Sequence, residues 1–112
     1  MKNTKVEMKI YMQVVVTMLA LAIGIFGVVT SEAAGDSQAG ARKAASCVAC
    51  HGPQGKSVNP MWPSLAGQKQ GYLVKQMTDF REGRRQDPLM SPTARPLSDV
   101  DIADLAAYFA SL

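Results

Sequence analysis

Both cysteines of the chain and its single histidine lie within one string of five residues, Cys47-Val48-Ala49-Cys50-His51. Residues three apart on a helix lie on the same face, so the two thiols would stand one turn apart. The imidazole follows the second thiol directly. Because three rare side chains in one short string need a shared cause, this string constrains the fold more than any other feature of the sequence.

The spacing Cys-x-x-Cys-His is typical of covalent haem attachment. Two thiols one helical turn apart can add to the two vinyl groups at one edge of the porphyrin. The adjacent imidazole then lies under the ring, where its neutral nitrogen can bind the iron. The sequence therefore predicts one haem c, with thioethers from Cys47 and Cys50 and with His51 as an iron ligand.

Two other kinds of site use the same residue types. A thioredoxin-like redox pair would need alternating β-branched strands around the motif, and residues 34–112 show no such pattern. A zinc site would need further ligands, and the chain has no other cysteine or histidine. The haem interpretation is therefore favoured over both.

The sixth iron ligand would be a methionine side chain, or the position would be open. Met61 follows closely after the motif, and Met77 lies on the apolar stripe of a predicted helix, which favours a core position. Met90 lies in the string Asp87-Pro88-Leu89-Met90-Ser91-Pro92, where two prolines predict an extended, non-helical segment between two helices. Met90 is therefore the preferred distal ligand.

The first 33 residues have the layout of an export signal. Three lysines precede a long apolar run, which ends in the small residues of Ser31-Glu32-Ala33-Ala34. We expect cleavage after Ala33, and the alternative is an uncleaved membrane tether through residues 10–30. Either way, the lysines on the N-terminal side place residues 34–112 in the periplasm.

Length and charge exclude other classes of protein. A chain of 112 residues is too short for a multidomain enzyme. The net charge of +3 includes three lysines of the signal segment, and no basic stripe with interleaved aromatic residues follows. We therefore expect no nucleic-acid partner.

Residues 34–112 predict an all-α domain of three to four helices around one haem. The first helix should cover Ser37 to Ser46 with Asp36 or Ser37 as its N-cap, and the second should cover Gln68 to Glu82. A proline-rich loop after His51 contains Trp62, which would pack either at the haem edge or in the core. The last helix should begin at a capping box of Ser98 and Asp101, with four apolar residues on one face: Ile102, Leu105, Phe109 and Leu112.

Several longer strings resemble a class I cytochrome c, and most closely one half of a cytochrome c4 or the monohaem cytochromes c553 and c5. They are CVACHGPQGKS, WPSLAGQKQGYLVKQMTDFREGRR, DPLM and PLSDVDIADLAAYFASL, and they cover nearly all of residues 34–112. Cytochrome c4 has two such domains in tandem and this sequence contains one. Inferences about electron transfer between two haems therefore do not carry over to this sequence.

The resemblance implies roles for individual residues. Cys47 and Cys50 would carry the thioethers, and His51 and Met90 would be the proximal and distal ligands. The carbonyl of Pro63 would accept the other N–H of the imidazole, which fixes the ring and raises its basicity. Gly40 and Tyr108 would lie where the first and last helices cross.

The function expected from these features is one-electron transfer between redox proteins, such as respiratory complexes or a dehydrogenase or oxidase, and not enzymatic catalysis. One alternative is a haem subunit bound permanently to a larger oxidoreductase. The other is a protein that binds a gas or peroxide at an open sixth position. Exposed basic residues could steer docking, with Lys56, Lys69, Arg84 and Arg85 as candidates.

Overall fold

The computed structural model describes residues 7–15 and 34–112. Residues 7–15 are helical, and the predicted cleavage after Ala33 lies outside the described residues. The chain divides between Thr30 and Ser31 into two compact units. Within the described ranges, no helix combines the length and the apolar character needed to cross a membrane.

Residues 34–112 form a helical domain without strands, which confirms the all-α prediction. Its helices are α1 (Ser37–Lys43), α2 (Ala45–His51), α3 (Gln70–Arg81), α4 (Met90–Ala94) and α5 (Asp99–Ala110), with a 3₁₀ turn at Pro53–Gly55.

Helix α5 begins at the predicted capping box. The Ser98 hydroxyl accepts a hydrogen bond from the Asp101 N–H at 3.1 Å, and the Asp101 carboxylate accepts one from the Ser98 N–H at 3.0 Å. The first three residues of the predicted apolar face are buried. Leu112 is exposed, because the helix ends at Ala110 before a further turn can bring it to the core. The prediction for that residue is wrong.

Helix α1 crosses α5 at Gly40, as predicted. A Cβ atom at Gly40 would lie 2.0 Å from the Asp104 carbonyl oxygen and 2.7 Å from the Cβ of Tyr108. Atoms this close overlap, so only glycine allows the two backbones to meet here. The crossing fixes α2, which follows α1 directly, relative to the C-terminal helix.

An ion cluster closes the same crossing. The Lys43 ammonium lies 2.7 Å from carboxylate oxygens of both Asp101 and Asp104. Asp104 is buried and also accepts a hydrogen bond from the Asp36 N–H at 2.7 Å. The Lys43 ammonium lowers the pKa of Asp101 and of Asp104, and the two carboxylates raise the pKa of Lys43.

The predicted first helix is divided in two. It begins after the N-cap Asp36, as expected, but a turn at Ala44 separates α1 from α2. At this turn the Cys47 N–H donates to the Ala44 carbonyl at 2.9 Å, a bond between residues three apart that is tighter than the α-helical pattern. The haem motif therefore lies on its own short helix.

The segment around Met90 is helical, so the prediction of an extended segment is wrong. Met90 is the first residue of α4, and Pro92 lies within its first turn. Pro92 lacks the N–H that would bond to the Pro88 carbonyl, but the Ser91 N–H before it donates to the Asp87 carbonyl at 3.0 Å and the Arg95 N–H after it donates to the Ser91 carbonyl at 3.1 Å. The two prolines therefore do not prevent a helix of five residues.

The core lies between α3 and α5 and reaches the motif helix. Leu73 of α3 and Leu105, Ala106 and Phe109 of α5 form one buried cluster. Cys47 packs against this cluster from α2. The core thus supports the helix that carries the Cys-x-x-Cys-His string.

Candidate functional site

Helix α2 presents both thiols of the motif. Cys47 and Cys50 are free cysteines one helical turn apart. Cys47 is half-buried and Cys50 is exposed. Burial raises the pKa of the Cys47 thiol, and the Ser46 hydroxyl partly offsets this. Two thiols in this arrangement can both reach one edge of a planar cofactor lying along the helix.

His51 is the last residue of α2 and is only 6% exposed. Its Nδ1 atom lies 2.7 Å from the carbonyl oxygen of Pro63. A carbonyl oxygen can only accept a hydrogen bond, so Nδ1 carries the hydrogen and donates it. In the neutral ring Nε2 then has a lone pair, which is the state that binds a metal ion.

A folded-back loop brings Pro63 to the histidine. The Gly55 carbonyl accepts hydrogen bonds from the N–H groups of Leu65 at 2.7 Å and Ala66 at 3.1 Å. The Gly67 N–H then donates to the Phe109 carbonyl of α5 at 2.9 Å. Gly55 has a φ of 69°, and a Cβ there would lie 2.8 Å from the Phe109 ring. This glycine is therefore needed for the close approach of the loop to the core.

Met90 is half-buried at the start of α4. The Asp87 carboxylate accepts hydrogen bonds from the N–H groups of Leu89 and Met90, both at 2.8 Å. These bonds lower the pKa of Asp87. Within residues 34–112, the side-chain hydrogen bonds of the Met90 segment and of His51 have different partners. The two predicted iron ligands therefore share no hydrogen bond.

The other candidates occupy different positions. Met61 is 82% exposed on the loop, and Met77 packs against the core cluster, as its helical stripe indicated. Trp62 is half-buried, and its backbone N–H donates to the Asn59 carbonyl at 3.1 Å, which closes a turn. Among residues 34–112, Met90 is thus the half-buried methionine that lies outside the core cluster.

The basic residues near the end of α3 are mostly neutralised within the domain. Arg84 pairs with Asp79 at 2.8 Å and also with Glu82. Arg85 donates to the Gln76 side chain at 2.6 Å and lies 4.5 Å above the Phe80 ring. By contrast, two predicted docking lysines, Lys56 and Lys69, are exposed and form no ion pair with any described residue.

These residues fit a covalently attached haem. The two free thiols lie one helical turn apart, the arrangement that can bind two vinyl groups of one haem, and the imidazole beside them is buried and held in one tautomer. Over the described ranges, no group of three or more His, Cys, Asp or Glu side chains could hold a metal ion.

Sequence reasoning missed two features of the domain. Asp87 followed by Pro88 has the composition of a helix start, since Asp is a frequent N-cap and Pro a frequent first residue. That signal could have predicted α4. The Lys43–Asp104 pair joins residues 61 positions apart, and no local pattern indicates it.

Comparisons with known proteins agree with this geometry. The family model described as cytochrome c matches residues 37–112. Cytochrome c4 of Thiocapsa roseopersicina is 55% identical over 78 residues, which cover 69% of this chain and 40% of that protein. Cytochrome c-554(548) of Halomonas halodenitrificans is 47% identical over 81 residues, which cover 70% of this chain and 98% of that protein.

A solved cytochrome c4 structure is also similar to this chain. The crystal structure of reduced recombinant cytochrome c4 from Pseudomonas stutzeri has a TM-score of 0.67 and 45% sequence identity, covering 70% of this chain and 46% of that one. The chain thus spans about half or less of the cytochrome c4 proteins that it matches.

Proposed function

Because the chain belongs to the cytochrome c family, whose cofactor is covalently attached haem c, we propose that it is a one-electron carrier between redox proteins. The bound haem supplies the exchange of one electron between ferrous and ferric iron. The observation that carries the proposal is the 2.7 Å contact between His51 Nδ1 and the Pro63 carbonyl, on the helix that bears both thiols.

Cys47 and Cys50 would form the two thioethers, and His51 Nε2 would bind the iron on the proximal side. The Pro63 carbonyl accepts the Nδ1 hydrogen and so holds the imidazole in one tautomer and one orientation. The half-buried Trp62 would pack near the ring edge. These residues bind and orient the group, and none of them needs to move a proton.

Met90 would be the distal ligand. A filled sixth position leaves no site for a substrate on the iron, and a thioether ligand favours the ferrous state and raises the reduction potential. The half-buried position of Met90 supports this assignment over the exposed Met61 and the core residue Met77.

Absorption spectra of the holoprotein test the ligand set. We expect the weak red band of iron–sulfur ligation to be present in the ferric wild type and lost in Met90→Ala. Met61→Ala and Met77→Leu are matched controls that should retain it. A high-spin spectrum that Met90→Ala leaves unchanged would contradict the assignment and would favour gas or peroxide binding at an open site.

Lys56 and Lys69 would steer docking of an acidic redox partner. Both lysines are exposed and free of ion pairs within the described residues, and both flank the loop that carries Pro63. The reduction rate by such a partner should fall about tenfold in Lys56→Glu/Lys69→Glu at low salt, and the difference should vanish at high salt. Arg84→Gln is the control, because Arg84 is already paired. Equal rates for all three proteins would exclude this role.

Residues 1–33 would act as an export signal and residues 34–112 as the haem domain in the periplasm. The lysines, the apolar run and the small residues before Ala34 support this division. Mass spectrometry of the exported protein tests it. A mass lacking residues 1–33 indicates a free carrier, an intact mass indicates a tethered one, and gel filtration would reveal permanent attachment to a larger oxidoreductase.

A further inference from the structure

We propose that Asp87 is a positioning residue that holds Met90 in place for the iron. The proposal rests on the ligand set given above, in which Met90 is the distal ligand. It concerns how this chain fixes that ligand, since a methionine thioether binds iron weakly and depends on being held in position. Asp87 itself would not touch the haem.

Asp87 and Ser91 form a closed set of hydrogen bonds around Met90, which we call the Asp87–Ser91 clasp. The Asp87 carboxylate accepts from the N–H groups of Leu89 and Met90, both at 2.8 Å. The Ser91 hydroxyl accepts from the Asp87 N–H at 3.0 Å, and the Ser91 N–H donates to the Asp87 carbonyl at 3.0 Å. Four bonds therefore enclose the backbone at Met90.

Few buried residues hold the Met90 segment in place. Helix α4 has five residues, far fewer than an isolated helix needs to be stable in water. Its one buried residue is Ala94, at the end away from Met90. The preceding Leu89 is 57% exposed, and Gly83 through Pro88 are exposed as well. The clasp thus provides four of the hydrogen bonds that hold the backbone on either side of Met90, and the Thr93 hydroxyl adds one to the Leu89 carbonyl at 2.7 Å.

Displacement of Met90 by imidazole in the ferric holoprotein measures how firmly the ligand is held. We expect Asp87→Ala to bind imidazole about tenfold more tightly than the wild type, because loss of the two hydrogen bonds makes Met90 easier to displace. Asp87→Asn should remain close to the wild type, because its amide oxygen can still accept both bonds. Ser91→Ala should give a smaller increase in imidazole affinity. It is the second test variant if Asp87→Ala does not fold.

Asp36→Ala is the matched control. The Asp36 carboxylate caps α1 through the N–H groups of Gln38 at 2.8 Å and Ala39 at 3.1 Å, the same pattern at a different helix. It should not change imidazole affinity. Equal affinities for Asp87→Ala, Asp36→Ala and the wild type would overturn the proposal, as would an Asp87→Asn variant that behaves like Asp87→Ala.

Met90→Ala separates this proposal from the proposed function. If Met90→Ala abolishes the iron–sulfur band while Asp87→Ala leaves imidazole affinity unchanged, the ligand set stands and the clasp proposal fails. If Met90→Ala keeps the wild-type spectrum, the ligand assignment itself is wrong, and the clasp proposal falls with it.

Discussion

The crossing of α1 and α5 and the Met90 segment are held by different means. At the crossing, backbones meet at Gly40, Asp104 is buried, and Lys43 bridges two carboxylates. Around Met90, one short helix is held by hydrogen bonds of largely exposed groups. The crossing joins residues far apart in sequence, whereas the Asp87–Ser91 clasp joins residues within one turn.

Because the two regions are held differently, one small domain can control its stability and its iron ligand separately. Close packing and burial contribute most to the free energy of unfolding, so the crossing should determine whether the domain folds. Exposed local hydrogen bonds contribute less, so changes near Met90 should alter the iron ligand without unfolding the domain.

The largest effect is expected at the crossing. Gly40→Val places a side chain on the Asp104 backbone and should lower the free energy of unfolding by about 3 kcal/mol or more. Gly71→Ala in α3 is the control, since nothing lies within 4 Å of its added Cβ, and it should be neutral or slightly stabilising. Denaturant unfolding of the holoproteins measures both. Similar stability of the two variants would show that the crossing does not carry the fold.

An intermediate effect is expected at the loop that carries Pro63. Gly55→Ala combines a positive φ with contact against the Phe109 ring and should cost about 2 kcal/mol. Gly83→Ala has a similar φ of 77° but no neighbour within 4 Å, so it should cost about 1 kcal/mol. The comparison isolates the packing contribution from the backbone strain. Equal losses of stability in thermal unfolding would mean that the Phe109 ring moves aside at no energetic cost.

Acid should weaken the crossing. The pKa values of Asp101 and Asp104 are lowered in the folded state, so their contribution is fully present above the ordinary carboxyl pKa and is lost as the pH falls below that value and through the lowered pKa of each group. In Lys43→Met the Tm should be lower than in the wild type near pH 6, and the difference should narrow as the pH falls from about 5 toward about 1. Lys69→Met is the control, because Lys69 forms no ion pair with any described residue. A difference that does not depend on pH would contradict the electrostatic explanation.

The smallest effect is expected in α4. The exposed Thr93 hydroxyl donates to the Leu89 carbonyl at 2.7 Å. Thr93→Val removes this bond but should change the free energy of unfolding by no more than about 0.5 kcal/mol, because the group is open to water in both states. Denaturant unfolding checks this. A loss comparable to that of Gly40→Val would remove the distinction between the two regions.

Local patterns predicted the elements that are determined locally. The capping box of Ser98 and Asp101 and the apolar spacing after it predicted α5, and the apolar stripe that includes Met77 predicted α3. Each of these signals links residues three or four positions apart, which is the reach of helical hydrogen bonds. The same approach failed at Met90, because the prolines suggested an extended chain while the Asp87 cap, which favours a helix, went unused.

The chemistry of the domain can be read from the amino-acid sequence: two thiols and one imidazole at fixed spacing, and helices that bury one face. The contact of Pro63 with His51 was expected only from the family resemblance, and the contact of Gly55 with Phe109 and the pairing of Lys43 with Asp104 were visible only in the tertiary structure. The reason is distance along the chain. Contacts between residues 12, 54 or 61 positions apart depend on how the helices pack as a whole, and no short pattern contains that information.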